Sequence, residues 1–242
     1  MRLSVVVPAY NEEKTIAEVL TTLLKEIPDV YEIIVVDDGS RDQTSAITEE
    51  IARLHPVIHL IRQPMNMGKT AALRTGFAAT SGDIVLVQDA DLEYDPSDIP
   101  TLIEPIQKGK ADVCYGSRFM IRRAARVLYF RHYLANQFLT FLSNLFTDLN
   151  LSDVETGYKA FRGEIIRNMI IETKGFGFEI EVTAKVAKLK CRVYEVPISY
   201  HGRTYEEGKK IGYRDGLDAI WYIFKYNLFV DKEASYARIP QL

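Results

Sequence analysis

Cysteine is nearly absent: Cys114 and Cys191 are the two in 242 residues, which excludes a disulfide framework and fits a reducing compartment. Histidine is scarce as well. Of the four, His55 and His59 are four apart, but Pro56 lies between them and residues 57–61 read as a strand, so no helical zinc pair is expected. The chain has no basic excess, its formal charge being −3, and so it offers no global field for nucleic acid; attraction to anions must be local. No window holds the about eighteen consecutive apolar residues of a membrane span. The nearest, 133–147, is uncharged but contains Asn136, Gln137 and Asn144. Only a few apolar residues precede Pro8, too few for a secretory signal core, and the protein is expected in the cytosol.

Several glycine-dependent motifs are missing too. Gly68-Lys69-Thr70 lacks the glycine that a phosphate-binding Walker loop needs five positions earlier, where Gln63 stands. The first strand-to-helix turn holds no glycine, and Gly175-Phe176-Gly177 lacks the third glycine of a dinucleotide fingerprint. No Gly-x-Ser-x-Gly elbow supports a nucleophilic hydrolase. An EF-hand is excluded because Tyr94 and Pro100 occupy the positions of its glycine and closing glutamate.

What is present is 47% hydrophobic content, enough for one large domain or a domain with an appendage. The first half alternates short β-rich runs with helical periodicity, which predicts an α/β fold: a mostly parallel sheet with helices on both faces. Strands are expected over 3–7, 31–36, 57–61, 84–88 and 112–115. Ile16, Val19, Leu20, Leu23, Leu24 and Ile27 repeat at helical spacing, with Asn11 as the expected cap and Glu12 and Glu13 in an acidic first turn. Ile47, Ile51 and Leu54 mark a second helix and residues 70–80 a third. The alternation breaks after residue 118. Beyond it, helices, loops and a mixed-sheet edge near 194–200 are expected.

The polar motifs fall directly after strands, which is where ligands bind in open α/β sheets. They are Pro8-Ala9-Tyr10-Asn11-Glu12, Asp37-Asp38-Gly39-Ser40, Asn66-Met67-Gly68-Lys69, Asp89-Ala90-Asp91-Leu92-Glu93 and Gly116-Ser117-Arg118. In an extended run, side chains two apart share a side, so Asp89 and Asp91, with Glu93 next in the series, would converge and call for a cation; the alternative is a solvated polar turn leading into a helix at Asp95-Pro96-Ser97. Hard oxygen donors with open positions suit Mg²⁺ or Mn²⁺ serving a phosphate or pyrophosphate. A carboxylate in the 37–40 turn can accept from the imino N–H of uracil or guanine. Lys69, at a helix start, can reach a phosphate.

Together these motifs resemble the inverting glycosyltransferases of family 2 with the GT-A fold, and within them the polyprenyl-phosphate glycosyltransferases that include dolichyl-phosphate mannose synthases. The resemblance rests on Val-Val-Pro-Ala-Tyr-Asn-Glu-Glu (6–13), Val-Asp-Asp-Gly-Ser (36–40), Asn-Met-Gly-Lys-Thr (66–70), Gln-Asp-Ala-Asp-Leu-Glu (88–93) and Gly-Ser-Arg-Phe (116–119). Thr-Gly-Tyr-Lys (156–159), Gly-Phe-Glu-Ile-Glu (177–181), Arg203 and Glu-Gly-Lys-Lys-Ile (207–211) extend it over nearly the whole chain. It implies a nucleotide-sugar-binding half at 1–118 and an acceptor-binding half at 119–242 of a single domain. Pro8, Ala9, Tyr10 and Glu12 would wall the nucleoside pocket. Asp37 would contact the base, with Asp38 and Lys69 in the same nucleotide-sugar site. Asp89 and Asp91, flanking Ala90, would be the Asp-x-Asp pair on sugar-nucleotide and metal, with Glu93 completing the metal shell. Asp153 would stand near the reacting centre, and Asp91, Asp153 and Arg118 are the residues expected at the reaction itself. Arg118, Arg203 and Lys209 would approach phosphates.

The implied reaction moves a hexose from GDP-mannose or UDP-glucose to polyprenyl or dolichyl phosphate at the cytoplasmic membrane face, with Mg²⁺ or Mn²⁺. Relatives of this kind often carry C-terminal membrane spans, and none is evident here. The chain offers another route to lipid: residues 113–147 contain no Asp or Glu, while Arg118, Arg122, Arg123, Arg126 and Arg131 are interleaved with aromatic and aliphatic residues. That pattern suits an anionic membrane surface and a lipid phosphate, with Leu134, Phe138, Leu139, Phe141, Leu142, Leu145 and Phe146 as the apolar face. The alternative is an amphipathic helix packed on the core or on another subunit. Residues 217–230, with Trp221 and Tyr222, are open between core and interface. A membrane-spanning partner and a homo-oligomer both remain open, as do two other functions: a family 2 enzyme acting on a polysaccharide or other hydroxyl acceptor, and a non-catalytic nucleotide-sugar-binding subunit of a membrane complex.

Overall fold

The protein is described from a computed structural model, over residues 1–120, 129–175, 177–202 and 213–241. A seven-stranded sheet runs in the order β3-β2-β1-β4-β6-β5-β7. Its parallel half comprises β1 (Leu3–Ala9), β2 (Glu32–Asp37), β3 (Ile58–Arg62) and β4 (Ile84–Val87). β6 (Lys159–Arg162) lies antiparallel between β4 and β5 (Val113–Ser117), and β7 (Val193–Pro197) adds a parallel edge beside β5. The short apolar runs became strands because this sheet is covered on both faces, so a strand such as β2 is buried at every position.

Alternate residues of each strand feed two cores. Val5, Val7, Ile33, Val35 and Leu86 face α1 (Ile16–Glu26), α2 (Thr44–Leu54) and α4 (Ile99–Gln107). Val6, Val85, Val87, Val113 and Phe161 face α3 (Lys69–Ala79), α6 (Gly163–Asn168) and α7 (Phe178–Leu189). The doubly covered, mostly parallel α/β sheet expected from the sequence is therefore present. A third cluster of Leu139, Val154, Ile180, Ala219 and Ile223 ties α5 (Phe130–Thr147) and α8 (Tyr213–Leu228) to α7, and α9 (Lys232–Ser235) completes the chain's helices among the described residues.

Two local expectations change. Asn11 is not the cap of α1: the helix begins at Ile16, and Asn11 adopts a left-handed φ of 54° while its Oδ1 accepts from the Arg41 N–H at 2.9 Å. The β1 loop thereby reaches across to the β2 loop. The acidic segment is not a continuation of β4, which ends at Val87; it turns, with Leu92 at φ 62°. Among the described residues no helix is long and apolar enough to cross a membrane.

Candidate functional site

The carboxyl ends of β1, β2, β4 and β5 open into one cleft of about 1270 Å³. Pro8, Ala9, Tyr10 and Glu12 line it from β1, Asp38 from β2, Gly68 and Lys69 from the start of α3, Asp89, Ala90, Asp91, Glu93 and Tyr94 from β4, and Arg118 from β5. Arg131 of α5, Glu155, Gly157, Glu179 and Tyr200 close it from the second half. Most of the residues singled out in the sequence thus meet in one place.

At the end of β2 the structure exchanges two neighbours. Asp37, expected to contact the base, does not line the cleft; it is buried, with Oδ1 accepting the Ser40 N–H at 3.0 Å and Oδ2 the Ser45 hydroxyl. Asp38 points the other way because successive strand residues alternate. Its two oxygens accept the Met67 and Gly68 N–H groups at 2.8 and 2.7 Å, fastening the 66–69 loop at the cleft wall. Gly39 makes that junction possible. It sits at φ +72°, and a Cβ there would lie 2.6 Å from the Met65 carbonyl carbon.

The three carboxylates expected around a metal, Asp89, Asp91 and Glu93, take separate partners in this structure. Among the described residues no three acidic, histidine or cysteine side chains are grouped so as to hold a metal ion. The turn at Leu92 breaks the alternation that would have aligned them. Asp89 pairs with Lys69 at 2.8 Å, and Lys69 also approaches Glu179 at 3.5 Å. Burial works against the Lys69 charge, but Asp89 and Glu179 outweigh it and raise the ammonium pKa. Glu93 Oε2 instead accepts the Tyr200 hydroxyl at 2.7 Å. Asp91 is oriented by the Glu93 N–H on its Oδ1 at 3.1 Å, and Thr15 secures the loop through the Ala90 carbonyl at 2.7 Å. Asp89 and Asp91 both present hard oxygens to the cleft, a donor set suited to Mg²⁺ or Mn²⁺ when a ligand supplies the rest of the shell.

Arg118 and Asp153 form a buried bidentate pair. The guanidinium donates Nε to Oδ2 and Nη2 to Oδ1, both at 2.7 Å, and the Arg118 N–H adds a third bond at 3.1 Å. Asp153, expected near the reacting centre, is fully buried behind the cleft wall and holds Arg118 in place. Arg118 lines the cleft with its charge already paired, stacked 5.2 Å over the Tyr200 ring. Burial opposes its ionisation, yet Asp153 keeps its pKa well above the ordinary value.

Two ionisable residues near this pair, Glu155 and Lys159, have no role marked by the sequence motifs. Glu155 lines the cleft, and its Oε1 is buried with no hydrogen-bond partner among the described residues. Burial, reinforced by Glu179, pushes its carboxyl up to about 7, against the pull of Lys159 and Arg118. Lys159 is fully buried beneath the loop; burial lowers its ammonium to about 8, partly offset by Glu179, Asp153 and Glu155. The Thr-Gly-Tyr-Lys motif pointed to this loop, but nothing in a loop's spacing tells which carboxylate faces the cleft.

Arg203 and Lys209, together with Arg122, Arg123 and Arg126, lie outside the described residues. Arg131 is exposed at the cleft, near the amino end of α5. The apolar residues of that helix divide. Leu139, Leu142 and Phe146 pack inward, whereas Phe130, Leu134, Phe138, Phe141 and Leu145 are exposed. On α8, Ile223 and Tyr226 are buried while Leu217, Trp221 and Leu228 are exposed.

Sequence comparison gives the class of protein that this fold and cleft belong to: the Glycosyl transferase family 2 model matches residues 4–170, and the chain belongs to that family. Curated relatives include a dolichol-phosphate mannosyltransferase of Pyrococcus furiosus, 31% identical over 88% of this chain, which spans 60% of that protein's length. An undecaprenyl-phosphate mannosyltransferase of Micrococcus luteus is 28% identical over 99% of both chains. Among solved structures, glucosyl-3-phosphoglycerate synthase of Mycobacterium tuberculosis with Mn²⁺ and UDP-glucose aligns at TM-score 0.72 and 23% identity, over 93% of this chain and 79% of that one. That likeness establishes the GT-A fold.

Proposed function

We propose that the protein transfers a hexose from a nucleotide-sugar, GDP-mannose or UDP-glucose, to polyprenyl or dolichyl phosphate at the cytoplasmic membrane face, with inversion. The observation that carries this reading is the shared cleft: it joins Asp38, Lys69, Asp89 and Asp91 to Arg118 and Arg131, beside α5 with its exposed apolar side. Relatives of similar sequence are named for transfer to dolichol phosphate and undecaprenyl phosphate. Residues 1–118 would supply most of the donor site, and 119–242 the acceptor site together with the 153–159 loop that closes the donor wall.

In the reaction an acceptor phosphate oxygen forms a bond to the anomeric carbon as the bond to the nucleoside diphosphate breaks. The acceptor is ionised at neutral pH, so its attack requires no general base. Pro8, Ala9, Tyr10 and Glu12 wall the nucleoside, and Asp38, which lines the cleft where Asp37 does not, contacts the base. Lys69 and Asp89, locked together, set the wall beside the diphosphate and sugar. A bound Mg²⁺ or Mn²⁺, held through Asp91 with Asp89 nearby, would neutralise the leaving diphosphate. Arg118, clamped by Asp153, presents a fixed positive edge to phosphate. Arg131, and Arg203 and Lys209 from the sequence, are assigned to the acceptor phosphate.

The test is turnover. Release of GDP or UDP from the donor should require both polyprenyl phosphate and a divalent cation, and Asp91→Ala should remove it. Donor affinity without release under any of these conditions would make the protein a binding subunit instead.

A further inference from the structure

Glu155 sits on a loop held from both sides. The Val154 N–H donates to Thr140 Oγ1 at 3.2 Å, Lys159 Nζ donates to the Val154 carbonyl at 3.0 Å and to the Thr156 carbonyl, and the Gly157 N–H donates to the Tyr94 hydroxyl at 2.7 Å. Gly157 brings this loop against the donor wall so closely that a Cβ there would lie 2.7 Å from Asp89 Oδ2. Every backbone neighbour of Glu155 is thus fixed, yet its own Oε1 is buried and has no partner among the described residues. A buried polar atom left unmatched destabilises the fold, and a rigid surround that maintains such an atom is what a preorganised ligand contact requires.

The chemistry of the missing partner is constrained. Glu179 and Asp153 add negative potential at Glu155, while Lys159 and Arg118 add positive. A phosphate oxygen is an anionic acceptor and would face a carboxylate unfavourably. A hydroxyl can donate to the carboxylate and accept from the carboxylic acid, so it matches a group that titrates near neutrality. The Asp89 wall is where the nucleotide-sugar lies on the reading above, and a hexose supplies such hydroxyls.

We propose that Glu155 recognises a hydroxyl of the donor hexose and so helps determine which sugar the protein accepts. This rests on the assignment of the cleft to a nucleotide-sugar. The test compares GDP with GDP-mannose, and UDP with UDP-glucose, binding in the presence of Mn²⁺ to the unsubstituted protein, Glu155→Gln and Glu155→Leu. The better-bound sugar donor should lose about tenfold in affinity in Glu155→Leu, the fold-change of one strong hydrogen bond, and less in Glu155→Gln, which keeps a carbonyl acceptor. Affinity for the matching nucleoside diphosphate should be unchanged, which also shows that the variants fold. Equal losses for the diphosphate and its sugar, or no loss for either, would overturn the proposal. So would a fall in kcat with donor affinity intact, which would mark Glu155 as a general base. Failure of all four nucleotides to bind the unsubstituted protein would instead overturn the transfer reading, and this inference with it.

Discussion

Glu155 carries its charge at the expense of the fold. Its carboxyl, pushed up to about 7 by burial and then Glu179, has an ordinary value of 4.5. Between those values the folded protein binds more protons than the unfolded chain, so this group's contribution to stability falls as pH rises. Glu155→Gln should therefore be more stable than the unsubstituted protein by roughly 1–3 kcal/mol at pH 8, with the difference vanishing near pH 4. Chemical denaturation at the two pH values measures it, and a difference independent of pH would contradict the assignment. Arg118 behaves oppositely. Arg118→Ala leaves Asp153 buried without its partner and should destabilise by about 3–5 kcal/mol, whereas replacing both residues with apolar ones should recover much of the loss. Equilibrium unfolding of the single and double variants checks this; equal losses would show that the ion pair itself was stabilising. At this scale the sequence was partly legible. It marked 37–38 as a polar strand end, but a one-residue shift reverses the side, and only the register of β2 against β1 and β3 decides that Asp38 faces the cleft.

At the scale of elements, strands and helices with strong periodicity were readable in the sequence, and the α1 stripe of Ile16, Val19, Leu20 and Leu23 is buried as its spacing required. β6 was not readable. Its four residues carry no alternation distinct from the surrounding loop, and its antiparallel place depends on pairing with β4 and β5 far away in sequence. The acidic loop turns for a related reason: Leu92, left-handed at φ 62°, packs against a core built from distant strands and helices, which local propensity does not encode. Helix α5 was ambiguous because it is apolar on two sides, one serving the core and the other exposed. The proposed membrane seat makes the exposed side testable. Phe138→Ser/Phe141→Ser should change stability by only about 1 kcal/mol, since both side chains are exposed, while reducing co-flotation with vesicles containing anionic lipid. Unchanged flotation would remove α5 from the membrane contact.

For the whole molecule, the fold places chemistry by topology: parallel strands carry their polar ends to one edge, and the second half contributes β6 and the 153–159 loop to the same sheet and cleft. Net charge of −3 adds no general attraction for a lipid surface, so vesicle binding should depend on local arginines and weaken steeply with salt. Ligation should register globally as well. Mn²⁺ and the matching nucleoside diphosphate together should raise the unfolding temperature by more than the sum of their separate shifts, because each completes the other's binding shell; merely additive shifts in a thermal-unfolding assay would contradict a shared site. The central claim is transfer to a lipid phosphate, and product identity tests it most directly. Purified protein incubated with GDP-mannose or UDP-glucose, Mg²⁺ or Mn²⁺ and polyprenyl phosphate should yield a sugar joined through its anomeric carbon to the lipid phosphate, with inverted configuration, by mass spectrometry and NMR. Free sugar alone, or sugar joined to a hydroxyl acceptor while the lipid remains unmodified, would contradict it.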